Sequence, residues 1–375
     1  MKINLIVFVY LVLCLSFHTR EDTISLPIHY SEGKRLPFLS FVQVFPLKMN
    51  EYKMPAVTMS LGTPPQTFEF LITTYSSKVY ISKKDGFDCS QSLTCEDLKM
   101  KILLRFISEN TYGVLTTDHI KIGSVTVRGF KFVYIIDEDL QYIYKGMLGL
   151  DYLNKNSDRD ISSPVSYSFL SQLYTRGFIE KQMFFIGKFE GIPRIVFGDY
   201  PANKLSYQKY HSCDLIKKDS RGEFNILWKC TLNAIYFEDN TIFSVNEPIA
   251  FGISSNYMSV TLPFYTYIKM KFFLGAFEHG DCRESIEDTS HSIWCRESFN
   301  ADYIGEISLI FGKWNIKLKG EQLWIRRPNS REKCFRLLYY YENKFTWSIN
   351  YTILEDRYIM IFDRENDKLG LYDMS

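Results

Sequence analysis

From Pro55 onward, apolar residues recur at every second position. Phe68, Phe70 and Ile72 share one parity, and the same spacing returns at Ile120 and Ile122, Val125 and Val127, and Phe130, Phe132 and Tyr134. Successive side chains of an extended chain point to opposite faces, so this alternation predicts half-buried strands with one face turned to a core. Gly123 and Gly129 stand between these runs and supply points where the backbone turns back. Helical spacing intrudes twice. Val165, Phe169, Leu170, Leu173 and Tyr174 recur at three- and four-residue intervals, behind Ser162 or Ser163 as N-cap and Pro164 in the first turn, with Gly177 as terminator. A second helix is predicted over 265–273, after Leu262-Pro263.

The N-terminus has a different pattern. Lys2 precedes an apolar run over 3–17, with small Cys14 and Ser16 near its end and the polar stretch His18-Thr19-Arg20-Glu21-Asp22 behind it. A membrane span needs about 20 apolar residues, so the run reads as a secretory leader over 1–16. The segment 17–50 is short and mixed, with Pro27 and Pro37 against a long helix. No lipid-anchor tail closes the sequence. The expectation is a secreted or secretory-lumen protein with no stable membrane anchor.

Composition narrows the class. With 375 residues, 46% apolar and 16% aromatic, the chain is able to fill one large bilobal core or two separate ones. Its 44 basic and 43 acidic side chains leave a net charge of +1, which gives no field to gather nucleic acid. Of its cysteines, Cys14 falls in the leader; Cys89, Cys95, Cys213, Cys230, Cys282, Cys295 and Cys334 remain. An oxidising compartment pairs most of them, and their odd number leaves one over. No Cys-x-x-Cys or nearby histidine pair accompanies them, so neither a metal nor another cofactor is expected.

Longer motifs carry a resemblance. Gly62-Thr63-Pro64-Pro65-Gln66 leads into an apolar strand and then Thr73-Thr74-Tyr75-Ser76-Ser77; Gly146-Met147-Leu148-Gly149-Leu150 and Arg194-Ile195-Val196-Phe197-Gly198-Asp199 follow. Pro248-Ile249-Ala250-Phe251-Gly252-Ile253-Ser254-Ser255 repeats the first motif half a chain later, and the C-terminus reads Tyr358-Ile359-Met360-Ile361-Phe362-Asp363-Arg364-Glu365-Asn366-Asp367-Lys368-Leu369-Gly370. In this order the chain resembles the pepsin-like aspartic proteases, peptidase family A1, from residue 51 to 375. The resemblance implies an all-β, bilobal pepsin-like fold with two β-rich lobes, a central cleft and a few short helices. The lobes would span 51–205 and 206–375. It also implies that Cys89 and Cys95 close a small loop and that Cys295 pairs with Cys334, leaving Cys213, Cys230 and Cys282 open.

The chemistry of that family needs two carboxylates about 3 Å apart that share one proton. The resemblance puts the first at Thr73 and the second at Phe251; a one-residue shift offers Ile72, Thr74, Ala250 or Gly252, and none is an acid. Where the family has glycine after each acid, this chain has Tyr75 and Ile253. Thr74 keeps the hydroxyl that ties the two active loops, while its counterpart Gly252 has none. In the flap, Phe106 stands for a tyrosine, and Ile107 and Glu109 for glycines; Trp347-Ser348-Ile349-Asn350-Tyr351 lacks another family glycine. The expectation is an inactive family member that binds a peptide or protein as a monomer. Phe106, Phe251 and Ile253 would make its cleft floor apolar. The alternative is an active aspartic endopeptidase. His119 reads as a surface histidine beside a structural Asp118, and His279 and His291 with the acids of 281–288 read as a solvated polar loop. Ser76-Ser77 and Ser254-Ser255 lack the elbow of a serine hydrolase. The sequon Asn350-Tyr351-Thr352 falls in a strand expected to be buried.

Overall fold

The alternating runs form strands that pair over long sequence distances. The structure is a computed structural model, and it describes residues 24–27, 29–32 and 53–375 apart from 75, 84–85, 106–109, 124, 137–145, 152–166, 190, 199–208, 217–227, 254–256, 288–289, 327–330 and 341–346. The leader expected at 1–16 and the lobe boundary expected at Leu205 lie outside the described residues.

Among the described residues the strands build three sheets. An eight-stranded sheet runs in the order His29–Glu32, Lys53–Leu61, Gln66–Thr73, Gly146–Gly149, Val79–Ser82, Val125–Ile135, Asn110–Ile122 and Glu96–Arg105. Its core face carries the predicted parity: Phe70, Ile72, Ile120, Ile122, Val127, Phe130 and Phe132 are buried in one cluster. Gly129, expected at a turn, instead lies inside the strand Val125–Ile135, where at φ +58° it forms the bulge at which the pairing of Asp118 with Phe130 passes to that of Ile120 with Val127. A ten-stranded sheet holds most of the C-terminal half, including Ile242–Gly252, Trp347–Asn350 and Met258–Val260 side by side. The third sheet is shared by the two halves. Its order is Ile24–Pro27, Ile192–Phe197, Met183–Phe189, Tyr358–Asp363, Lys368–Asp373 and Tyr210–Asp214. Phe184 from one half stacks on Phe362 from the other at 4.3 Å, and Trp228 meets both rings edge-on.

Several elements differ from the sequence reading. The first helix spans Phe169–Thr175, and its N-cap is Ser168, whose Oγ accepts from the Ser171 amide at 3.3 Å. Gly177 ends it at φ +68° as expected. The second helix starts earlier, at Leu262–Ile268, with Pro263 in the first turn, and continues through a π turn at Lys269–Phe273 to Leu274–Glu278. The polar stretch 281–288 is a hairpin strand rather than a loop: Cys282–Glu287 pairs with Ser290–Arg296. Segment 17–50 also contributes more than expected, since Ile24–Pro27 and His29–Glu32 complete the edges of two different sheets.

The disulfide pattern is corrected in the same hairpin. Cys89 is bonded to Cys95 and Cys213 to Cys230, but Cys295 is bonded to Cys282 rather than to Cys334. Register decides this. Cys282 stands directly opposite Cys295, whereas on the other side Cys295 faces Lys333 and Cys334 faces Trp294. One residue out of phase, the Cys334 side chain lies on the opposite face of the sheet. It remains a buried thiol whose Sγ approaches the Phe335 carbonyl.

Candidate functional site

The two halves repeat one three-strand arrangement. In the first, Gln66–Thr73 runs parallel to Gly146–Gly149, which is antiparallel to Val79–Ser82. In the second, Ile242–Gly252 runs parallel to Trp347–Asn350, which is antiparallel to Met258–Val260. Superposing the registers matches residues one by one. On the core face, Ile72 and Leu148 stand side by side in the first half, as Phe251 and Ile349 do in the second. On the other face, Leu71, Met147 and Tyr80 form a row whose counterpart is Ala250, Ser348 and Ser259. At the strand ends, Thr73 beside Gly149 corresponds to Gly252 beside Asn350.

This register moves one assignment. Phe251 does not hold the place equivalent to Thr73: its ring is buried in the C-terminal core, 5.8 Å from that of Phe311. The place belongs to Gly252, one residue on, because alternation turns residue 251 inward when Ile249 and Ile253 also point to the core. Like Thr73, Gly252 carries no carboxyl group. The residue following each site is then Thr74 in one half and Ile253 in the other, so the second hydroxyl of the expected pair is absent here too.

Thr74 joins the halves. Its Oγ1 donates to the carbonyl oxygen of Phe251 at 3.3 Å, and both residues are almost fully buried. Behind the first loop the backbone is closely packed. Leu150 N–H donates to the Thr73 carbonyl at 2.7 Å and Asp151 N–H to the Ser76 carbonyl at 2.9 Å. A Cβ on Gly149 would lie 2.3 Å from the Lys78 carbonyl oxygen, so only glycine fits there. Ser76 Oγ shares a 2.8 Å hydrogen bond with the Tyr80 hydroxyl. Burial, opposed by that bond and assisted by Asp151, pushes the Tyr80 phenol up to about 12, so it remains a neutral hydrogen-bonding group.

The two faces around this floor differ in chemistry. On the N-terminal side Tyr80, Val133, Ile135 and Met147 form an apolar cluster of their own, apart from the main core, with Leu71 adjoining it in register. On the C-terminal side the row is Ala250, Ser348 and Ser259, all small and buried. Asn350, where the resemblance implied glycine, donates from Nδ2 to the Tyr257 carbonyl at 2.7 Å. Its amide is wholly buried, out of reach of glycosylation. Sequence reasoning had not singled out Leu71, Tyr80 or Met147; counting two residues back from Thr73 and across the register identifies them. Tyr75 and Phe106, named as cleft and flap candidates, lie outside the described residues, as do Ile107 and Glu109.

The remaining polar candidates have structural partners. Asp118 is completely buried, and its Oδ1 accepts from Thr94 Oγ1 and from the His119 amide at 2.6 Å. His291 Nδ1 lies 2.8 Å from Glu284 Oε1, which the Tyr265 hydroxyl also approaches at 3.2 Å, and Lys269 pairs with Glu284 Oε2. No group of three or more metal-ligating side chains exists among the described residues, and no helix among them is long and apolar enough to cross a membrane.

Comparison with known proteins agrees with this architecture. The fold matches the crystal structure of an aspartic proteinase from Irpex lacteus with a TM-score of 0.68 at 13% identity, over 94% of this chain and 98% of that one. The chain is 31% identical over 90 residues to a probable vacuolar protease A of Trichophyton verrucosum, 21% of this chain and 22% of that protein. To mucorpepsin of Rhizomucor pusillus it is 23% identical over 235 residues, 56% of this chain and 53% of that protein. The chain thus spans about a fifth of the vacuolar protease and about half of mucorpepsin. The eukaryotic aspartyl protease family model matches residues 55–374. The chain belongs to the eukaryotic aspartyl protease family.

Proposed function

We propose that this chain is a pseudoprotease: a pepsin-like scaffold without the two-acid machinery, which binds an extended peptide or a protein segment between its lobes. One observation carries the reading. Thr73 and Gly252 occupy matching strand ends in the two halves, and neither side chain is able to take up or release a proton near neutral pH. Peptide hydrolysis by paired carboxylates needs one acid to deprotonate water and another to protonate the carbonyl oxygen. Removing both removes the mechanism rather than slowing it.

What supports binding is the apolar row beside Thr73. Leu71, Met147, Tyr80 and Val133, all nearly fully buried, make the ground beside Thr73 apolar, the character that favours an apolar side chain there. With Thr73 and Gly252 at the matching strand ends, an apolar group meets no pair of catalytic carboxylates that has to be desolvated. The disulfides and the expected leader favour a secreted or lumenal site of action.

The second reading, an active aspartic endopeptidase, is favoured by the family membership itself. The purified protein, incubated with a mixed peptide library at acidic pH with and without pepstatin, separates the two. No cleavage is expected in either arm, and pepstatin-sensitive cleavage overturns the proposal. The same library, read by mass spectrometry of the retained peptides, is expected to be enriched in apolar side chains. Absence of any retained peptide overturns the binding half and leaves a closed scaffold.

A further inference from the structure

The one-turn helix Tyr351–Leu354 connects two functional parts of the fold. Its N-cap, Asn350, ends the strand that lies beside Gly252 at the floor between the lobes, and its C-cap, Glu355, leads into Tyr358–Asp363 of the shared six-stranded sheet. All four helical residues are buried. Glu355 is partly covered as well: its Oε2 is buried with no hydrogen-bond partner among the described residues. A carboxylate in that position is unfavourable for two reasons. Burial without a partner costs an ionised group its hydration, and the C-terminal end of a helix turn repels negative charge.

The charged groups around this junction offer no relief, because each cation is engaged elsewhere. Asp356, next in the chain, is ion-paired with Lys188 from the strand Met183–Phe189. Arg357 pairs with Asp373 at 2.8 Å. Arg336, on Glu332–Tyr340, donates to the carbonyls of Thr352 and Trp324 at 2.9 and 3.2 Å. Lys317 pairs with Glu306 at 3.0 Å close to Tyr358, and the Tyr351 hydroxyl is itself buried without a partner among the described residues. Glu355 therefore has a negative neighbour and no counter-charge.

We infer that Glu355 is a proton-operated latch between the floor and the shared sheet: protonated it stays buried and holds the turn, ionised it leaves for water and loosens Asn350. Asn350 is the transmitting residue, because it pairs in register with Gly252 and ties down Tyr257 through its amide. Burial first, and the Asp356 charge second, push the Glu355 carboxyl up to about 7, so the latch changes state near neutrality. The sign follows from linkage. A carboxyl whose folded value lies above its unfolded value favours the fold fully below the unfolded value, and that contribution is lost as pH rises through the folded one. The floor is thus firmest in an acidic lumen. The latch is a property of the junction and stands apart from whether the cleft holds a ligand.

The test compares wild type with Glu355→Gln by urea unfolding from pH 4.5 to 8.5. The ratio of wild-type to variant folding constants is expected to fall by about tenfold per pH unit between the unfolded and folded values. Amide exchange over 249–252 and 350–355, corrected for its intrinsic pH dependence, should rise above pH 7 in wild type only. Glu355→Met, which keeps length and burial, provides the check if the amide variant folds poorly; it should exceed wild type in stability at pH 8. Parallel pH curves for wild type and either variant, or exchange that rises equally in all, overturn the inference.

Discussion

The Thr74 hydroxyl donates to the carbonyl oxygen of Phe251 at 3.3 Å, bridging residues 177 positions apart. The bond links the ends of the two repeated strand arrangements, and both groups are buried. Thr74→Val keeps the shape and deletes the donor, leaving a buried carbonyl unsatisfied. A loss of about 1–3 kcal/mol is expected, measured by urea unfolding. Thr74→Ser should recover most of it, and equal losses in the two variants would point to packing rather than the hydroxyl.

The register assignment predicts opposite tolerances at two neighbouring positions. Phe251 packs in the C-terminal core, so Phe251→Ala should cost about 3–5 kcal/mol. Phe251→Asp should fail to fold, because it buries an unpaired charge. Gly252 does not have positive φ, so a small side chain is conformationally permitted there, and Gly252→Ser should stay folded with a smaller loss. Thermal melts of the three variants give the order directly. If Phe251→Asp were stable and Gly252→Ser were not, residue 251 would face the floor after all.

Much of the fold was legible because strand parity and turn chemistry are local. Phe70 with Ile72, Phe130 with Phe132, and the turn at Gly123, whose φ is +57°, follow from residues within a few positions of one another. What the sequence left undetermined depends on register between distant strands. Alignment by motif placed Phe251 opposite Thr73, and only the parallel pairing of Phe251 with Ile349 showed that its ring belongs to the core row. The edge strands Ile24–Pro27 and His29–Glu32 were illegible for a related reason: four residues are too few to display a period, and their pairing partners lie far along the chain.

The cysteines repeat that lesson and give a third prediction. Peptide mapping without reduction should recover Cys282 linked to Cys295, and alkylation should reach Cys334 only after denaturation. Cys334→Ser should retain all three bridges. Replacing Cys282 and Cys295 together by serine should cost roughly 3 kcal/mol, as expected for a loop of this length. A linked peptide containing Cys295 and Cys334 would contradict the strand register as well as the bond.

Glu284 should give the pH response opposite to that of Glu355. Its carboxylate joins the helix to the hairpin through Lys269, His291 and Tyr265. Burial pushes this carboxyl up, but the bonds from Lys269 and His291 outweigh it and hold it below its ordinary value. A carboxyl whose folded value is depressed contributes stability above the unfolded value and loses it as pH falls through the folded one. Wild type should therefore lose stability relative to Glu284→Gln on acidification below about pH 4.5, the ordinary carboxyl value. The scale is set by partly exposed, charge-assisted bonds, roughly 1–3 kcal/mol at most. Unfolding midpoints for both proteins between pH 3 and 6 decide the point, since curves that stay parallel would leave Glu284 without a role in acid stability. With Glu355 losing its contribution as pH rises from the ordinary carboxyl value towards about 7, and Glu284 losing its own as pH falls below that ordinary value, the fold should be most stable near the ordinary carboxyl value.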